Sequence, residues 1–146
     1  MRLTSLIILF ATFLLLFSSE TAKAEPVAVI VNAGNSAQSL TIEDLRKYYE
    51  NDILSWPDGT RIVLINLSVN SDARKKFSRT VLKREALDVA REWSNRKITN
   101  TAKNPPLVVK SELLVQARIA RISNAIGYLA MSKVTSDKVR IVLTIK

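Results

Sequence analysis

A chain of 146 residues with 22 lysines and arginines against 13 acidic residues carries a formal charge of +9, and it has no histidine and no cysteine. The two missing residue types exclude disulfides, the usual zinc, haem and thiol sites, and the Ser-His-Asp and Cys-His forms of nucleophilic catalysis. A basic balance of this size calls for an acidic partner.

Met1-Arg2 precedes an apolar run from Leu3 to Phe17, which is short for a membrane span. Ser18 to Ala24 then ends in Ala22-Lys23-Ala24, a small-residue cleavage pattern ahead of Glu25. These features predict a secretory signal peptide over 1–24 and a mature domain over 25–146; the competing reading of the flanks is an N-terminal membrane anchor. Because no cysteine follows the run, a lipid anchor on a processed cysteine is excluded. Removing Arg2, Lys23 and Glu20 leaves 20 basic and 12 acidic residues, so the mature charge stays near +8. Export without disulfides suits a bacterial periplasm. It argues against nucleic acid as the partner, as does the shortage of aromatics for stacking. An acidic solute, an anionic lipid or polysaccharide, or an acidic protein surface fits that compartment.

Val27-Ala28-Val29-Ile30-Val31 reads as a first buried strand, and Asn32 to Ser39 as a loop of small polar residues. The loop's Gly34 and Asn35 offer amides to a ligand, or simply connect two elements. Thr41, with Asp44 three positions on, predicts a near capping box and a helix that buries Ile42, Leu45 and Tyr48 or Tyr49. Trp56-Pro57-Asp58-Gly59 is turn chemistry, and Arg61 to Leu67 a strand buried on both faces. Ser71 caps a helix with Ala73, Phe77 and Val81 on its inner face, and Glu85 opens a segment in which Leu87, Ala90 and Trp93 share a face. Asn95 to Pro106 reads as irregular loop. Ser111 caps a helix that buries Val115, Ile119 and Ile122, and Ala125 to Leu129 is a short strand. In the last strand, Lys138 to Lys146, the alternation puts Val139, Ile141, Leu143 and Ile145 on one side. Helix, turn, buried strand and helix in this order predict one α/β domain.

The chemistry legible in these elements is sparse. Glu43, Asp44, Glu50 and Asp52 lie on or just past a helix, where capping and solvation explain them. Ser94-x-x-Lys97 matches the serine and lysine of penicillin-recognising enzymes, but neither K-T-G nor S-D-N accompanies it, and chance explains the match. With no phosphate-binding glycine loop either, the chain is not expected to be an enzyme or to use a cofactor or metal. The one candidate anion site is the helix start at Ser71, where free N–H groups and Arg74 would meet an oxyanion. Asp72 in the same turn opposes it. The alternative for Arg74, Lys75, Lys76, Arg79, Lys83 and Arg84 is a solvated charged face.

Five pieces in register resemble the substrate-binding proteins of phosphate ABC transporters. They are Val29-Ile30-Val31-Asn32, Leu40-Thr41-x-x-x-Leu45 before an aromatic pair, Trp56-x-Asp58-Gly59, Ser71 with Phe77 and Trp93, and Asn124-Ala125-Ile126-Gly127-Tyr128. The resemblance covers roughly Val27 to Leu129. It implies a periplasmic binding protein-like α/β fold of the second type, as a single lobe with a mixed sheet flanked by helices. Where that family has an arginine ending the strand before a Ser-Gly-Thr helix start, this chain has Leu67 and Ser71-Asp72-Ala73, so only the serine carries over. Full-length members are about twice this size, and their opening segment has no counterpart here. The resemblance thus implies an exported module holding a small anion such as phosphate in a degraded site, with Ser71, Arg74 and Asn35 as candidate ligands and an ABC permease or envelope protein as partner. The alternative is an envelope module that kept the fold, lost the ligand and binds a protein or polyanion through its basic surface.

Overall fold

The computed structural model describes residues 23–146, so all but the last two positions of the expected signal peptide lie outside the described residues. Strand β1 (Val27–Asn32) is apolar at five of its six positions and buried at those five, as a strand with both faces covered requires. Helix α1 (Ile42–Glu50) starts where the sequence places it. The Thr41 side chain accepts from the Asp44 N–H, and the Asp44 carboxylate accepts from the Thr41 N–H at 2.8 Å. This closes the capping box. The bond from the Thr41 N–H, together with one from the Thr41 hydroxyl, holds the Asp44 carboxyl below the ordinary aspartate range. Asn51 ends the helix in the left-handed region at φ 68°.

Strand β2 (Val63–Leu67) leads into the short helix α2 (Asp72–Phe77), which continues as a π turn over Ser78–Leu82. Helix α3 (Ala86–Ile98), strand β3 (Leu107–Val109), helix α4 (Glu112–Arg121), strand β4 (Ala125–Ala130) and strand β5 (Val139–Ile145) complete the described chain. The sheet order is β3-β2-β4-β1-β5. β2 pairs parallel with both β3 and β4, whereas β1 runs antiparallel to β4 and to β5. Four strands therefore point one way, and β1 alone runs back through them.

Gly127 and Tyr128 show how the two faces are covered, since neighbours on a strand point to opposite sides. The Tyr128 ring stacks on Phe77 of α2, with centroids 3.9 Å apart, and Tyr49 of α1 lies 6.2 Å away. On the other face, a Cβ at Gly127 would sit 3.0 Å from both Ile119 and Val115 of α4. Glycine lets that helix lie directly on the sheet.

Three local expectations need correction. The polar segment after Asn95 stays helical to Ile98, and Pro105-Pro106 leads straight into β3. The inner face of α3 is Ala86, Val89 and Trp93, while Leu87 is exposed, because the i, i+3, i+7 stripe that ends on Trp93 starts at Ala86 and not at Leu87. In β5 the buried positions are Val139, Val142 and Ile145, and Ile141 faces outward. A register shift against β1 between Val29 and Ile30 breaks the alternation there.

Candidate functional site

The four co-directional strands end at Leu67, Val109, Ala130 and Ile145, and β1 begins at Val27 on the same edge. Just beyond this carboxyl edge lies an open cleft of about 850 Å³. Crevices at the carboxyl ends of strands in open α/β sheets are where such folds bind ligands. Two helix starts flank this one. Ser71 accepts from the Arg74 N–H and caps α2, and Ser111 accepts from the Leu114 N–H and caps α4, each at 3.3 Å. Both follow strands, β2 and β3, whose pairing is parallel, so both point their free N–H groups toward the same edge.

Five cationic side chains line the cleft (Lys75, Lys76, Arg79, Lys110, Lys133) against three acidic ones (Glu25, Asp72, Glu112). Much of this charge is engaged internally. Glu112 accepts from the Ala130 N–H at 2.7 Å and pairs with Lys133 at 2.6 Å, and this contact raises the affinity of Lys133 for its proton. Glu25 accepts from the Ser132 N–H at 3.0 Å, and its hydrogen bonds with Ser132 hold its carboxyl below the ordinary glutamate range. Lys76 donates to the Glu25 carbonyl at 2.9 Å, and Arg79 reaches out to Glu85 at 2.8 Å. Among the described residues, Lys75 and Lys110 make neither an ion pair nor a side-chain hydrogen bond, whereas Lys76, also without an ion pair, is held by backbone carbonyls. They are the cations with freedom to meet something from solvent.

The three residues expected from sequence are not brought together. Ser71 lines the cleft. Arg74 turns away from it into the core, where it is 2% exposed. There it donates to Ser78 Oγ at 3.2 Å and to the Leu67 carbonyl at 3.3 Å. Asn35 sits at the opposite edge of the sheet, the length of β1 away or roughly 20 Å at the usual rise per residue. Its amide donates to the Ser123 carbonyl at 3.0 Å and its Oδ1 accepts from the Ala37 N–H at 2.9 Å, so both ends are spent on backbone. Lys110 is a cleft residue that the sequence signals only weakly. The signal for it is a repeat, with a strand ending at Leu67 or Val109 and a serine cap following within a few residues. The double proline concealed the second strand.

A separate pocket of about 260 Å³ opens between the end of β2, α3 and β3. Arg74 and Asn66 lie at its buried end, and Ser94 and Lys97, the pair from the S-x-x-K match, line it from α3. No group of three or more His, Cys, Asp or Glu side chains among the described residues is arranged to hold a metal ion. No helix among them is long and apolar enough to cross a membrane.

No protein-family model matches the chain, and no curated protein matches its sequence. Solved structures do. A protein assigned as the substrate-binding protein of a phosphate ABC transporter, from Clostridium perfringens with phosphate bound, superposes at a TM-score of 0.64 and 19% identity, over 81% of this chain and 44% of its own. An ABC-type phosphate transport receptor from Vibrio cholerae gives 0.60 and 17%, over 81% and 45%. PstS from Borrelia burgdorferi gives 0.55 and 18%, over 73% and 41%. The chain therefore has a periplasmic-binding-protein-like α/β architecture and spans less than half the length of these structures. At such identities the likeness is one of fold.

Proposed function

We propose that this chain is an exported solute-binding lobe that holds a small anion of the phosphate type, weakly, in the cleft at the carboxyl edge. One observation carries the reading: two serine-capped helix starts and two lysines without ion-pair partners, Lys75 and Lys110, meet at one open cleft. Free N–H groups at a helix start supply hydrogen bonds to an oxyanion, and each lysine adds a charge-assisted bond. Phosphate transport proteins among the structures with the same fold support that ligand class. Leu67 and Asp72 make the site a weak one, since Leu67 donates nothing and the Asp72 carboxylate repels an incoming anion. Working as one lobe, the chain would deliver its solute to, or share it with, a partner at the cell envelope such as an ABC permease.

Thermal unfolding of the purified protein tests this, with phosphate, sulfate and small organic anions compared at fixed ionic strength. A ligand that binds only the native state raises its stability. The reading expects a saturable rise in melting temperature with phosphate or sulfate that is lost in Ser71→Ala and in Lys110→Glu. The absence of a rise with any anion would overturn it. The second reading, a protein- or polyanion-binding module, would then be favoured by the basic exposed face of α2 and its π turn, and it predicts salt-sensitive capture of an envelope polymer.

A further inference from the structure

Arg74 is a buried cation without an anion. Both hydrogen bonds described for it end on neutral groups, and no carboxylate pairs with it among the described residues. The nearby phenols supply no charge either. Burial pushes Tyr49 well above its ordinary value and Tyr128 up to about 12, so both stay neutral at physiological pH. A guanidinium withdrawn from water costs several kcal/mol unless its surroundings compensate. Here the surroundings include the pocket that Arg74 itself lines.

The pocket's remaining chemistry is mixed in a defined way. Next to Arg74 lies Asn66, 3% exposed, whose Oδ1 accepts the Tyr128 hydroxyl and leaves its NH₂ free to donate. Trp93 and Pro106, both buried, supply apolar wall. Ser94 and Lys97 are exposed and stand at the outer end. One buried positive charge matches a monoanion better than a phosphate dianion, and an apolar wall asks for an apolar body.

We propose that this pocket binds a small carboxylic acid, with the carboxylate on Arg74 and Asn66, the apolar body against Trp93 and Pro106, and Lys97 at the mouth. This site is separate from the carboxyl-edge cleft and does not depend on it. The Ser94-x-x-Lys97 spacing puts both side chains on the same stretch of α3 at the opening, where they guide and hold an acid and carry out no acylation.

The test uses the two tryptophans of the chain as internal probe and control. Trp93 lines the pocket, while Trp56 donates its indole N–H to the Asn124 carbonyl at the far edge of the sheet. The purified protein is titrated with isovalerate, benzoate and phenylacetate, with their neutral amides, and with inorganic phosphate, at constant ionic strength, while indole and backbone amide resonances are followed. At least one carboxylate is expected to move the Trp93 indole and Ser94 amide signals saturably at millimolar concentration, leaving Trp56 unmoved, and its amide is expected to do nothing. Ser94→Phe, an exposed substitution that blocks the mouth, is expected to abolish saturation without changing the melting temperature of the free protein, and Lys97→Glu to weaken binding several-fold. Arg74→Gln should abolish binding; if that variant does not fold, the two mouth variants still decide. No saturable shift with any of the three acids, equal binding of the amides, or binding that survives Ser94→Phe would overturn the proposal. So would acid-induced shifts confined to Ser71 and Lys110, which belong to the cleft.

Discussion

The two edges of the sheet are built from different residues. At the amino edge, asparagines and two arginines, Arg61 and Arg140, tie loops to backbone. Asn32 donates to the Ile119 and Ala120 carbonyls at 2.9 and 3.1 Å, and Asn104 donates to the Ile62 carbonyl at 2.9 Å. The Arg140 guanidinium gathers the carbonyls of Ala33, Asn35 and Ala37. Short amides lose little side-chain freedom when they are fixed, and they can donate and accept at once. The carboxyl edge has lysines instead, long and strongly hydrated, over a cleft of about 850 Å³. One edge is closed by its own side chains, and the other keeps donors in reserve. Asn35 belongs to the first edge and Ser71 to the second, so the same inference from polar residue to ligand meets opposite surroundings.

Breaking the closed edge should have the largest effect. Arg140→Ala leaves three carbonyls without their charged donor and is expected to cost about 1.5–3 kcal/mol in denaturant unfolding, the range for charge-assisted bonds. A cost below roughly 1 kcal/mol would mean that water replaces the guanidinium and the edge is not closed in the sense argued. A smaller loss, about 1 kcal/mol, is expected for Thr41→Ala, which opens the cap of the helix that this loop leads into. Its partner Asp44 adds a pH signature. A carboxyl held below its ordinary range contributes stability that is present above the unfolded-state value and lost as pH falls through the folded value. The stability gap between the wild type and Asp44→Ala should therefore be constant near neutrality and shrink on acidification below the aspartate range, as followed by urea midpoints. At the open edge the stability effects should nearly vanish. Lys75→Ala and Lys110→Ala are expected to shift unfolding by no more than about 0.5 kcal/mol, since neither makes an ion pair. A larger loss would make them structural and weaken the case for donors held in reserve.

Much of this architecture was legible in the residues. The apolar runs at Val27 and Arg61, the caps at Thr41, Ser71 and Ser111, and the small-residue entry at Ala125 each encode a local geometry with one favourable outcome. Where local pattern and structure differ, a longer-range effect intervenes. The register shift of β5 depends on its partner β1, and a strand's own alternation cannot report it. β3 is three residues long, too short for periodicity to emerge behind two prolines. Arg74 is the instructive case. It sits beside Ala73 and one turn before Phe77, on the stripe that the helix buries, so its position pointed inward while its charge suggested solvent. Position prevailed because the Leu67 carbonyl and Ser78 hydroxyl receive the guanidinium. The cleft was only half legible, through Ser71, since its other wall comes from a helix forty residues further along the chain.

The most direct test of the open edge is a phosphate titration followed by backbone amide resonances at constant ionic strength. Saturable shifts are expected at Ser71 to Ala73 and at Lys110 to Glu112, with Asn32 to Ala37 unmoved. If those cleft amides stay fixed at millimolar phosphate, or if the shifts fall instead on the closed edge, the carboxyl-edge cleft is not an anion site.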